Sequence, residues 1–120
     1  MTTILLVEDN EKNMKLLRDV LTAKGYRVLE ATSGEEAVVL TLADRPELVL
    51  MDVQLPGIDG VEALRRVRAD VRTAGVAVLA LTAQAMDGDR ERFLAAGFDG
   101  YLSKPVDIVE LLATVAAYMH

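Results

Sequence analysis

Glu8 and Asp9 stand side by side directly after the apolar run ILLV, and a third carboxylate, Asp52, ends the run LVLM. Thr82 follows VAVLAL, and Lys104 follows GYLS. Adjacent like charges repel, and burying either one unpaired costs more than a single apolar contact returns. Taken alone, the pair reads as a chain surfacing after a strand, with Asn10 capping the next helix. Taken with Asp52, the oxygen donors fit magnesium, with manganese as a substitute. Magnesium accepts one or two carboxylates, keeps several waters and leaves room for a phosphate oxygen. Calcium is the looser alternative, but the chain has no EF-hand loop. A carboxylate is also a nucleophile toward phosphorus, and a metal and a lysine would neutralise the transferring oxygens. The set fits phosphoryl capture on an aspartate.

These residues act together only if the fold brings five distant segments to one place. Short, dense apolar runs, TILLV, YRVLEA, LVLM, VAVLAL and GYLS, read as strands, four of them too continuous for half-exposed edges. Helical spacing lies between them. Met14, Leu17 and Leu21 share a face after Asn10, and Gly25 stops that helix. Ser33 with Glu36, Asp59 with Glu62 and Asp107 with Glu110 have capping-box spacing. The last two precede Val61, Leu64, Val67 and Ile108, Leu111, Leu112, Val115, and Gly97 closes the helix of Arg92, Phe93 and Ala96.

The order is βαβαβαβαβα, an α/β chain with a doubly wound five-stranded parallel sheet, helices on both faces and right-handed crossovers. Ligands of such sheets gather outside the carboxyl ends of the strands, where the strand order reverses. Glu8, Asp9, Asp52, Thr82 and Lys104 all follow or end strands. In a flavodoxin-like order, 2-1-3-4-5, the first and third strands are neighbours, so Asp9 and Asp52 meet.

Composition narrows the function. The 120 residues predict one domain, 1–120, with just over half of it hydrophobic (52%). The absence of cysteine and the single histidine, His120, exclude disulfides, thiolate sites and a multi-histidine zinc site. His120 reads as a frayed end or the start of a tag. A net charge of −6 with scattered arginines argues against direct nucleic-acid binding. Without a signal segment or a membrane-length apolar run, a cytoplasmic setting with no membrane partner is expected. Phosphate-binding glycine loops and a serine nucleophile elbow are missing. Haloacid-dehalogenase-type phosphatases carry a general-acid aspartate two positions after the nucleophile, where this chain has Gln54. An aspartyl phosphate here would form without a built-in acid and base for rapid turnover, so the chain is expected to be a phosphoacceptor rather than an enzyme.

The motifs VEDN, LVLMDVQLPGIDG, LTA and GYLSKP, in that order and spacing, resemble the receiver domain of bacterial two-component response regulators over essentially the whole chain. VEDNEKNMKLLRDVLTAKGY and LTAQAMDGDRERFLAAGFDGYLSKP resemble stand-alone regulators of the DivK type and receivers of hybrid histidine kinases. The resemblance implies Asp52 as phosphoacceptor, Asp9 as a metal ligand, Glu8 acting through bound water and the Gln54 carbonyl completing the metal's protein ligands. It implies Lys104 paired with the phosphoryl group, Thr82 bonded to it once attached, Tyr101 as the aromatic switch residue, and a cis Lys104–Pro105 peptide. Many receivers have aspartate where Glu8 stands.

The implied function is a phosphorylation-controlled signal carrier. It takes its phosphoryl group from a histidine kinase or histidine phosphotransfer protein and acts by binding a downstream protein, as a monomer or weak dimer. A relay receiver excised from a hybrid kinase or larger regulator, and a phosphorylation-independent interaction module, are the alternatives. Met14, Leu55, Pro56, Met86 and Val106 read equally well as core cover or as a docking rim for a helical partner.

Overall fold

A computed structural model describes residues 2–83 and 88–118; Met86 and His120 lie outside these. Four of the five helices among the described residues begin where a short polar side chain takes over an amide that the helix leaves unpaired; the helix that follows Gly88 has no side-chain cap. Asn10 Oδ1 accepts from Asn13 N at 3.0 Å, Ser33 Oγ from Glu36 N at 3.1 Å, Asp59 Oδ1 from Glu62 N at 2.8 Å and Asp107 Oδ1 from Glu110 N at 3.0 Å. The return half of the capping box differs from its textual signature. Glu36 Oε1 accepts from Thr32 N at 2.8 Å, one residue before the cap, and Glu62 turns outward to Arg65 and Arg66.

The chain alternates β1 (Thr3–Val7), α1 (Glu11–Ala23), β2 (Arg27–Ala31), α2 (Gly34–Asp44), β3 (Leu48–Asp52), α3 (Gly60–Ala69), β4 (Ala77–Thr82), α4 (Asp89–Ala96), β5 (Gly100–Ser103) and α5 (Ile108–Ala117). The strands form one parallel sheet in the order β2-β1-β3-β4-β5, the flavodoxin-like order expected of the sequence. Three strands, β1, β3 and β4, are buried along nearly their whole length, rather than four. An open sheet must leave two edges. Here they are β2, with Arg27 and Glu30 exposed, and β5, with Ser103 exposed.

Strand alternation divides the core into two layers. Ile4, Leu6, Leu48, Leu50, Leu79, Leu81 and Leu102 pack against Met14, Leu17 and Leu21 of α1 and Leu111 and Val115 of α5. Leu5, Val7, Val49, Met51, Val78 and Ala80 pack against Ala37 of α2, Ala63 and Leu64 of α3, and Phe93 of α4. Each such leucine or isoleucine, fully buried, contributes about 1.5–3 kcal/mol. Among the apolar helical positions read from sequence, Ala96 is exposed rather than buried or half-buried, and so is Val61, at 38%. Val61 sits in the first turn of α3, beyond the sheet's cover.

Candidate functional site

The alternation that buries Ile4, Leu6, Leu48, Leu50 and Leu102 on one face continues to the residues two further along each strand: Glu8, Asp52 and Lys104. Those three meet at the carboxyl ends of β1, β3 and β5. Lys104 Nζ donates to Asp52 Oδ2 at 2.5 Å and lies 2.7 Å from Glu8 Oε2. Its backbone N–H donates to the Thr82 carbonyl at 2.7 Å, which extends the β4–β5 ladder and fixes where the side chain starts. The Lys104–Pro105 peptide is cis, as the resemblance implies.

Asp52 is 5% exposed, and its Oδ1 accepts from Gln54 N at 2.9 Å. The turn that presents Gln54 is set by close backbone approach. Gly60 N donates to Val53 O at 2.9 Å, and a Cβ on Gly60 would collide with the Asp52 carbonyl. Glu8 is 1% exposed; its Oε1 accepts from Asn10 N at 3.1 Å. Its Oε2 is in a charge-assisted contact with Lys104 Nζ at 2.7 Å. Burial raises the Glu8 carboxyl above its ordinary range; the Lys104 ammonium and the Asn10 amide offset this only in part, and the Asp52 charge adds to it. For Lys104, burial pulls the ammonium down, but the bonds to Asp52 and Glu8 outweigh it and the net shift is upward. Asp9 is exposed on the rim beside them.

One carboxylate oxygen from each of Glu8, Asp9 and Asp52 lies within 4.8 Å of the other two. With Asn10, Asn13, Gln54, Ala83 and Lys104, these acids line an open cavity of about 290 Å³. The donor set is oxygen throughout, and three carboxylates this close carry more negative charge than Lys104 alone neutralises, so these residues fit a magnesium ion. A smaller groove of about 80 Å³, lined by Leu16, Leu17, Pro105 and Val106 among others, adjoins the site between α1 and the β5–α5 loop.

Thr82 is buried at 6% and ends β4 one residue beyond Leu81, the register partner of Asp52. Tyr101 pairs in register with Ala80 and is half-buried, its ring 5.7 Å from that of Phe93. Thr82, Ala80 and Tyr101 share the sheet face covered by α4, the face opposite Lys104. Met14 is core, at 6% exposure, whereas Leu55 and Val106 are half-buried and Pro56 is exposed. The Asn10 amide is a contact the sequence did not signal, because it is made by main chain.

Residues 4–116 match the family model described as the response regulator receiver domain. The chain belongs to that family. Over 117 residues this receiver domain is 40% identical to the polar-differentiation response regulator DivK of Brucella anthropi, covering 98% of this chain and 95% of the relative. It is also similar to the receiver domain of a sensor histidine kinase from Pseudomonas aeruginosa, at 40% identity and TM-score 0.90 over 98% of this chain and 96% of that one. That structure has magnesium coordinated in the active-site cleft. A third likeness is the receiver domain of the Saccharomyces cerevisiae response regulator Ssk1, co-crystallised with the histidine phosphotransfer protein Ypd1. It is 30% identical with TM-score 0.91, over 98% of this chain and 88% of that one. No helix among the described residues is long and apolar enough to cross a membrane.

Proposed function

We propose that this receiver domain takes a phosphoryl group from a phosphohistidine of a histidine kinase or histidine phosphotransfer protein onto Asp52, with magnesium held at Asp9, Asp52, the Gln54 carbonyl and, through water, Glu8. The contact that carries the reading is Lys104 on Asp52 Oδ2, which places a fixed cation beside a buried carboxylate in an open acidic cavity. An Asp52 oxygen attacks phosphorus, the phosphorus–nitrogen bond breaks, and the imidazole leaves with its electron pair. Lys104 stays within reach of the transferred oxygens. The Gln54 amide keeps the carboxylate oriented. Bound magnesium would supply neutralising charge to the phosphoryl oxygens.

The attached group brings negative charge and acceptor oxygens that the carboxylate lacked. Thr82 turns its hydroxyl toward them, and Tyr101 moves into the space beside it, over the small Ala80. The surface of α4, β5 and α5 changes, and a downstream protein reads it. The groove beside α1, with Leu16 51% exposed, fits the helix of a phosphodonor protein. Gln54 offers no general acid, so the domain is a slow-turnover phosphoacceptor and not an enzyme acting on other substrates. It works in the cytoplasm as a monomer or weak dimer, without touching nucleic acid.

A second reading, a relay station belonging to a hybrid kinase, is favoured by the equal 40% identity to a sensor-kinase receiver. Incubation with acetyl phosphate or a phosphorylated histidine phosphotransfer protein tests the chemistry. Label should require magnesium and vanish in Asp52→Asn; undiminished label in that variant, or in excess chelator, contradicts the reading.

A further inference from the structure

Arg68, on α3, lies near the amino ends of β4 and β5, at the opposite end of the sheet from Asp52, with its side chain 23% exposed. All of its N–H groups are engaged. Nε and Nη2 donate to the Gly97 carbonyl at 3.2 and 2.9 Å, Nη2 also to Asp99 Oδ2 at 3.0 Å, and Nη1 to the Ala74 carbonyl at 3.0 Å and to that of Val76. Holding a long side chain in one geometry costs about 2 kcal/mol of rotamer entropy, so a fully engaged guanidinium fixes what it touches.

What it touches is the turn joining α4 to β5. Gly97, in the left-handed region at φ 110°, closes α4 with its N–H on the Leu94 carbonyl at 3.1 Å. Asp99 then accepts from Val78 N at 2.8 Å through Oδ2, donates its own N–H to the Val78 carbonyl at 2.8 Å, and accepts the Tyr118 hydroxyl on its carbonyl at 3.1 Å. Three residues, 97–99, are thereby tied to α3, β4 and the end of α5. Tyr101 follows two positions later, and its ring and that of Phe98 both contact Phe93 on α4.

We propose that Arg68 is a positioning residue for the switch: it holds the Gly97–Asp99 turn as a fixed pivot. A change at the Asp52 end then moves Tyr101 and the amino-terminal end of α4, and does not slide α4 and β5 together. A packed unit can transmit a signal when one part stays put while another has two discrete arrangements. The inference rests on Thr82 and Tyr101 being the switch pair.

The test uses beryllofluoride with magnesium as the phosphoryl analogue and 3-fluorotyrosine in the full chain, the Tyr101 signal being assigned by Tyr101→Phe. In the unsubstituted protein the Tyr101 signal should shift on adding the analogue. In Arg68→Gln the analogue's effect on the ratio of Tyr101 states should shrink by about 2- to 30-fold. Acetyl phosphate labelling of Asp52, far from the substitution, should stay within about twofold. A full Tyr101 response in Arg68→Gln overturns the pivot alone; a Tyr101 signal indifferent to the analogue in the unsubstituted protein overturns the switch reading and the pivot with it. Amide exchange in the unsubstituted protein gives a second check that no variant's folding can spoil. Scaled by the change in the slowest-exchanging core amides, which removes the stabilisation that any bound ligand gives the whole fold, Gly97, Phe98 and Asp99 should exchange at the same rate, within about twofold, with and without the analogue, and any larger change there shows that the turn moves and overturns the proposal.

Discussion

At the carboxyl ends of the strands, Glu8, Asp9 and Asp52 crowd together, and the Lys104 ammonium is in contact with Glu8 and Asp52. At the amino ends of β4 and β5, Arg68 faces three carbonyls and one carboxylate and satisfies them all. Both clusters sit on the same sheet and draw on neighbouring strands, yet one holds an excess of negative charge and the other is closed. Crowded carboxylates of like charge are what a bound cation would relieve, whereas groups with every bond made hold a segment in place.

Substitutions at the two ends should therefore differ in kind. The largest effect on stability is expected at the closed end. Arg68→Gln strips donors from Ala74, Val76, Gly97 and Asp99, and urea unfolding should show a loss of about 2–3 kcal/mol, water recovering part of the cost of several orphaned acceptors. A loss below about 0.5 kcal/mol, the range of ordinary surface changes, would erase the contrast. At the open end the effect should appear in binding. Asp9→Ala should weaken magnesium affinity at least about tenfold, or ~1.4 kcal/mol, and by more than Glu8→Gln, whose carboxylate is already engaged by Lys104 and Asn10. The opposite ranking by calorimetric titration would make Glu8 the direct ligand.

The pH dependence sharpens the comparison further. Glu8 is raised from its ordinary 4.5, so the folded state holds its proton more firmly than the unfolded chain. Its contribution is fully favourable below 4.5 and declines as pH rises through the folded value. In metal-free buffer, Glu8→Gln should gain stability relative to the unsubstituted protein as pH climbs above 4.5. A gap that does not widen with pH would show Glu8 to be fully compensated. The smallest effect belongs to Glu62, which Arg65 and Arg66 pull down to about 2 on the exposed surface of α3. Its sign is opposite: the contribution is present above 4.5 and lost as pH falls through about 2. Glu62→Gln should lower the melting temperature slightly at neutral pH, and by less as pH falls toward 2. An effect exceeding that of Arg68→Gln would mean that exposed pairs matter more here than exposed pairs usually do.

The sequence made the carboxyl-end rim legible because its information is local. Apolar runs mark the strands, and whatever polar residue follows each run must sit on the rim, so Glu8, Asp9, Asp52, Thr82 and Lys104 could be placed before any contact was known. The caps Asn10, Ser33, Asp59 and Asp107 were readable for the same reason. Arg68 was not, since its partners lie 6 to 31 residues away and three of them are carbonyls, which carry no residue signature. The edge character of β2 also escaped: YRVLEA looks apolar in text, and only pairing on one side exposes Arg27 and Glu30. The contact of the Tyr101 ring with Phe93 depends on α4 packing, which the strand pattern does not encode.

The central claim is that one carboxylate among three neighbours is the phosphoacceptor, and borohydride reduction after exposure to acetyl phosphate and magnesium tests it directly. Reduction of an aspartyl phosphate leaves homoserine, so peptide mass spectrometry reads the modified position. The account predicts homoserine at position 52 and unmodified Glu8 and Asp9; reduction products at residue 8 or 9, or none at 52 in protein that has taken up label, would contradict it.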